Sequence, residues 1–86
     1  MTKYKKALGA ALFKQNDEFV IIKGREVFTV NEVGARIFEL CNENYDEQNI
    51  IEKLCKFYNA SEKEIGEDIK SFINEMLNMT VIKIIS

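Results

Sequence analysis

An α+β domain, with an N-terminal three-stranded antiparallel sheet followed by three helices, is what this 86-residue sequence predicts. Two observations carry that expectation. Between residues 11 and 30 β-branched and aromatic residues dominate the apolar positions, which fall in short runs. From residue 31 onward they recur at helical spacing instead. No repeat, linker or low-complexity stretch interrupts the chain, so residues 11–86 are expected to form a single domain behind a flexible N-terminal segment, residues 1–10.

The strands come first. Leu12-Phe13, Glu18 to Lys23 and Glu26 to Val30 are the three runs, with Asn16-Asp17 and Gly24-Arg25 between them as hairpin turns. A lone meander is marginal, so this sheet must pack on something else. Asn31 is a good N-cap for a helix carrying Val33, Ile37, Phe38, Leu40 and Cys41. Asp46, with Asn49 three positions on, caps a second helix expected to bury Ile50, Ile51, Leu54, Cys55, Phe57 and Tyr58. Ser61 and Glu64 form a capping-box pattern for a third, whose apolar positions are Ile65, Ile69, Phe72, Ile73, Met76 and Leu77. Thr80 to Ile85 reads as a strand that extends or flanks the sheet. The order is of winged-helix type.

Composition narrows the chemistry. Twelve Lys or Arg and fourteen Asp or Glu give a net charge of −2, and His, Pro and Trp are absent. Without His, the usual general base near neutral pH and the commonest metal ligand are both missing. Glu62, Glu64, Glu67 and Asp68 fall largely on the polar side of the third helix, where a solvated face is the simple explanation. No catalytic residue, metal site or cofactor is therefore expected. Cys41 and Cys55 each follow an apolar residue by one helical turn, which suits reduced core thiols. Lys14 interrupts the apolar stretch after the basic N-terminus, so no signal peptide, no membrane insertion and a cytoplasmic location are expected.

Charge is also unevenly placed. Residues 1–30 sum to +3 (six basic, three acidic) and residues 31–80 to −6 (five basic, eleven acidic). The third helix, which a winged-helix DNA-associated regulator would place in the major groove, sums to −3 between Ser61 and Met79. That sign opposes phosphate binding and leaves a DNA-associated regulator or adaptor as the second reading. The apolar arc of the same helix spans about 160°, wider than the ~100° that one-sided burial needs. Its edge near Asp68, Ile69, Phe72 and Met76 is a candidate partner surface. Val27-Phe28-Thr29-Val30 is apolar on both pleat faces and lies at a sheet edge, where another strand can be added. The same edge would allow a homodimer.

Ordered along the chain, Phe28-Thr29-Val30-Asn31, Ala35-Arg36-Ile37-Phe38-Glu39-Leu40, Asn49-Ile50-Ile51-Glu52-Lys53-Leu54 and Asp68-Ile69-Lys70-Ser71-Phe72-Ile73-Asn74-Glu75-Met76 resemble the PqqD-like proteins. These are also called RiPP recognition elements, and they serve the making of ribosomally synthesised, post-translationally modified peptides. The likeness runs over roughly residues 18–82. It departs in the turn after the first helix, where the family often has glycine and this chain has Asn42-Glu43-Asn44-Tyr45, and at its end, where the family often has Gly-Leu-Ile or similar and this chain has Met79-Thr80-Val81-Ile82. The resemblance implies a stand-alone, non-catalytic chaperone. The leader of a precursor peptide would dock as an extra strand on Val27, Phe28, Thr29 and Val30, against a groove lined by Asp68, Ile69, Phe72, Ile73 and Met76. Lys23 and Arg25 would steer an acidic leader segment. The implied enzyme partner is a radical SAM enzyme or a lasso-peptide leader protease, with no nucleic acid.

Overall fold

Two turns of different chemistry set the main sheet. Asn16 and Asp17 both take left-handed backbone angles (φ 50° and 67°), as a two-residue type I′ hairpin requires. Gly24 opens the second turn at φ 61°, where a side chain would be strained. The computed structural model describes residues 2–85. Along it run β1 (Lys3–Lys6), β2 (Ala10–Gln15), β3 (Glu18–Lys23), β4 (Glu26–Val30), α1 (Glu32–Leu40), β5 (Asn42–Asp46), α2 (Glu47–Tyr58), α3 (Glu62–Asn78) and β6 (Ile82–Ile84). Met1 and Ser86, the outer limits of the expected N-terminal segment and domain, lie outside the described residues. The predicted meander is present in the order β2-β3-β4, with Gln15 opposite Glu18 and Lys23 opposite Glu26.

The N-terminal segment departs from expectation. Lys3–Lys6 is not a flexible arm but the central strand of a second antiparallel sheet, ordered β5-β1-β6. Tyr4 is only 4% exposed there, because a phenol ring between flanking lysines turns inward while Lys5 turns out. β5 occupies the segment expected to be a turn after the first helix. Its Asn, Glu and Asp residues are poor strand formers, and pairing makes up the deficit, with Lys3 opposite Asp46. The C-terminal strand joins this sheet rather than the meander, with Tyr4 opposite Ile84 and Lys6 opposite Ile82.

All three helices start where the sequence places them. The Gly34 N–H donates to Asn31 Oδ1 at 2.9 Å. Asp46 and Asn49 exchange reciprocal bonds at 2.8 and 3.2 Å, as do Ser61 and Glu64 at 3.2 and 2.9 Å. The backbone and hydroxyl of Ser61 hold the Glu64 carboxyl below its ordinary value of 4.5. Between the sheets and helices the core gathers Ile21, Ile37, Phe38, Ile50, Ile51, Ile69, Ile73, Met76 and Val81. Cys41 is fully buried, Cys55 half-buried, and both are free thiols. Burial pushes the Cys41 thiol up to about 12, which keeps it inert at neutral pH.

One burial expectation fails. Phe57 is 56% exposed instead of core, capped by the Arg36 guanidinium 3.8 Å above its ring. Tyr58 is half-buried, and its hydroxyl donates to Glu32 Oε2 at 3.1 Å, tying the end of α2 to the start of α1. No described helix is long and apolar enough to cross a membrane. Among the described residues no group of three or more His, Cys, Asp or Glu is placed to hold a metal ion.

Candidate functional site

The free edge of β4 is the starting point, since no described strand pairs with its outer side. Register decides which residues serve that edge. Across a two-residue turn, the flanking pair Lys23 and Glu26 exchanges both backbone hydrogen bonds, and the pairs beyond alternate. Alternation turns the N–H and C=O groups of Val27 and Thr29 away from β3, toward the open edge. Phe28 and Val30 are committed to the ladder instead. Of the four residues expected to supply backbone pairing, two are therefore presented to a newcomer. The side chains sort the same way. Val27 (61% exposed) and Thr29 face outward, while Phe28 and Val30 pack against the core.

Gly34 brings three elements together beside this edge. A Cβ built there would lie 3.3 Å from Val30 Cβ and 3.6 Å from Met76 Cε, so the end of β4, the first turn of α1 and α3 meet at close quarters. Next to that junction is a cavity of about 320 Å³ lined by Asn31, Asp68, Ser71, Phe72 and Glu75. Of the five groove residues expected on α3, Asp68 and Phe72 border this cavity. Ile69, Ile73 and Met76 do not line the groove: all three are core residues with almost no exposed surface. The reason is helical phase. Residues 68, 72 and 75 form one stripe, and 69, 73 and 76 form its neighbour about 100° around the axis. A wide apolar arc merges the two stripes, but only the first reaches the surface. Ser71 and Glu75 lie on that exposed stripe, so the i, i+3, i+4, i+7 spacing from Asp68 was the signal for them. Asn31 was recognised only as a helix cap.

The two proposed steering cations have different fates. Lys23 Nζ donates to the Thr80 carbonyl and to Thr80 Oγ1, each at 3.0 Å, which ties the end of β3 to the turn between α3 and β6. It is a structural tether. Arg25 is exposed at the tip of the β3–β4 turn and forms no ion pair among the described residues.

A second cavity, about 380 Å³, opens on the far side against β2. Leu12 and Phe19 of the sheet, Ala35 and Leu40 of α1, and Leu54 and Phe57 of α2 give it apolar walls. Glu32 on its rim is held below its ordinary value of 4.5 by the Tyr58 hydroxyl and by Arg36.

The described residues thus form a small α+β domain with an uncovered sheet edge beside a helix-walled cavity. Residues 18–82 match the family described as coenzyme PQQ synthesis protein D (PqqD). The chain belongs to the PqqD family, in agreement with the resemblance read from its motifs. Among solved structures, that of TbiB1 in complex with the TbiA(beta) leader peptide shares the fold at a TM-score of 0.75, with 21% identity over 92% of this chain and 94% of that one. No curated protein matches the sequence.

Proposed function

We propose that this protein binds the leader of a ribosomal precursor peptide by strand addition to β4 and presents the peptide to a modifying or processing enzyme. The observation that carries the reading is the open β4 edge beside the Phe72 cavity, in a chain whose family and fold neighbour both point to peptide maturation. The leader backbone pairs with Val27 and Thr29. Its inward side chains, one in two, enter the cavity and meet Phe72. Arg25 lies near one end of the edge, and Asp68 and Glu75 near the other. An acidic residue toward the turn and a basic one toward α3 suit that arrangement. The chemistry is left to the partner, for which a radical SAM enzyme or a lasso-peptide leader protease are the candidates.

The test is titration of the ¹⁵N-labelled protein with the synthetic leader of a precursor peptide encoded beside it. Shifts concentrated at Val27–Val30 and at Asp68, Ser71, Phe72 and Glu75 are expected. Phe72→Asp, which keeps the core stripe intact, is expected to weaken binding at least about tenfold. Shifts centred on Leu12, Phe19 and Phe57 would instead move the site to the cavity against β2. Unchanged affinity in a folded Phe72→Asp variant would remove the groove from the mechanism.

A further inference from the structure

The meander has a second face, opposite the one that packs on the helices. Register puts Ala11, Ile22 and Val27 in one row across the three strands, and Phe13, Val20 and Thr29 in the next. These six side chains point away from the helices. Of the six only Val20 is buried, at 8% exposure, and none is part of the helix-packed cluster, whereas Leu12, Ile21 and Phe28, in the alternate row, all belong to it or pack on it. Phe13 is 47% and Val27 61% exposed, on either side of the buried Val20 of the central strand. Apolar rows of this kind on a solvent-facing sheet surface mark an interaction site.

The charges around the face indicate what covers it. Glu18 stands at one end of the sheet, beside Asp17, and Arg25 at the other. Neither forms an ion pair among the described residues. We infer that the outer face of β2-β3-β4 docks on the same face of a second copy of this chain. A two-fold axis lying between the faces and running across the strands sets Glu18 of each copy opposite Arg25 of the other, while the apolar rows meet in the middle. The alternative axis, along the strands, would set Glu18 against Glu18, and like charges oppose it. Strands related in this way stay nearly aligned, as face-packed sheets prefer.

Three strands of five or six residues present on the order of 250 Å² in plan, well short of the ~800 Å² of accessible surface per partner in a standard interface. The dimer is therefore weak and exchanges rapidly. It leaves the free edge of β4 and the Phe72 cavity open, unlike a dimer that pairs β4 with β4.

Sedimentation equilibrium of the peptide-free protein across a wide concentration range is the test. A reversible monomer–dimer equilibrium is expected. Phe13→Lys is expected to weaken it at least about tenfold, with the thermal unfolding midpoint measured beside it because Phe13 lies opposite the buried Val20. Glu18→Arg and Arg25→Glu should each weaken it several-fold, and the double swap should restore it, because the opposed charges are then exchanged together. A protein that stays monomeric at millimolar concentration overturns the inference. So does a dimer in which the double swap gives no recovery, or one that added leader peptide dissociates, since that dimer would use the β4 edge.

Discussion

The sheets β2-β3-β4 and β5-β1-β6 have the same number of strands and are held together in opposite ways. Every pairing in the first joins neighbours in the chain across a two-residue turn. In the second, Lys3 lies opposite Asp46 and Tyr4 opposite Ile84, so its strands are gathered from the two ends and the middle of the sequence. Their exposed borders differ too. β5 is rich in Asn, Glu and Asp, with a register irregularity between Lys3 and Lys5 of its partner, both of which discourage further pairing. The β4 edge carries Val27 and Thr29 with no such protection. A sheet whose register is set by its own turns can leave an edge and a face free for partners. A sheet assembled from distant segments must spend its contacts on holding the chain closed.

Tyr4→Ala is the sharpest way to break that comparison. Removing a buried ring from the central strand of the distant-segment sheet should cost about 3 kcal/mol or more, read as a loss of denaturation free energy. Leader affinity of the protein that remains folded should not change. If stability moved by less than about 1 kcal/mol, Lys3–Lys6 would be an accessory strand rather than a closing one.

Proline scanning of β4 separates its two hydrogen-bonding sides. Phe28→Pro removes a ladder donor facing β3 and should destabilise by at least about 2 kcal/mol. Val27→Pro removes a donor facing the open edge. It should leave stability within about 1 kcal/mol of the parent and weaken leader binding about tenfold. Equal destabilisation by both substitutions would mean that the alternation assigned to this edge is shifted by one residue.

Asp46 is where the distant-segment sheet meets local capping, since it ends β5 and caps α2. Its Oδ1 accepts from the Asn49 N–H at 2.8 Å. Asp46→Ala should cost about 1 kcal/mol, the usual worth of a cap. A loss several times larger would show that pairing with β1 also depends on this side chain.

What could be read in the sequence follows the same division. The hairpin turns at Asn16-Asp17 and Gly24-Arg25 and the caps Asn31, Asp46 and Ser61 are short-range signals, and each marks an element boundary that the fold contains. β1 and β5 carry no such signal. One is a buried tyrosine among lysines and the other a run of Asn, Glu and Asp, and their pairing joins segments about forty residues apart. At the site, Asp68 and Phe72 were legible because they sit on the exposed stripe of α3. Ile69, Ile73 and Met76 were misplaced because a hydrophobic arc does not reveal which stripe faces the core. The steering role expected of Lys23 was lost to Thr80, a residue far along the chain that periodicity cannot link to β3.

Thr80 itself provides the smallest and most specific test. It holds φ 59°, a region where a β-branched residue is crowded by its own backbone. Left-handed backbone costs such a residue about 1–2 kcal/mol, while glycine's extra freedom in the unfolded chain returns about 0.5–1 kcal/mol of any relief. Thr80→Gly should therefore stabilise the protein by about 0.5 kcal/mol, since the Lys23 bond to the Thr80 carbonyl survives the change. Thr80→Ala removes the same hydroxyl and keeps a Cβ in the left-handed region, so it should gain less than the glycine variant. Chemical denaturation of the pair decides the matter. If both variants are less stable than the parent, the Lys23 bond to Thr80 Oγ1 outweighs the strain, and the tether between the two sheets depends on a side chain rather than on the backbone.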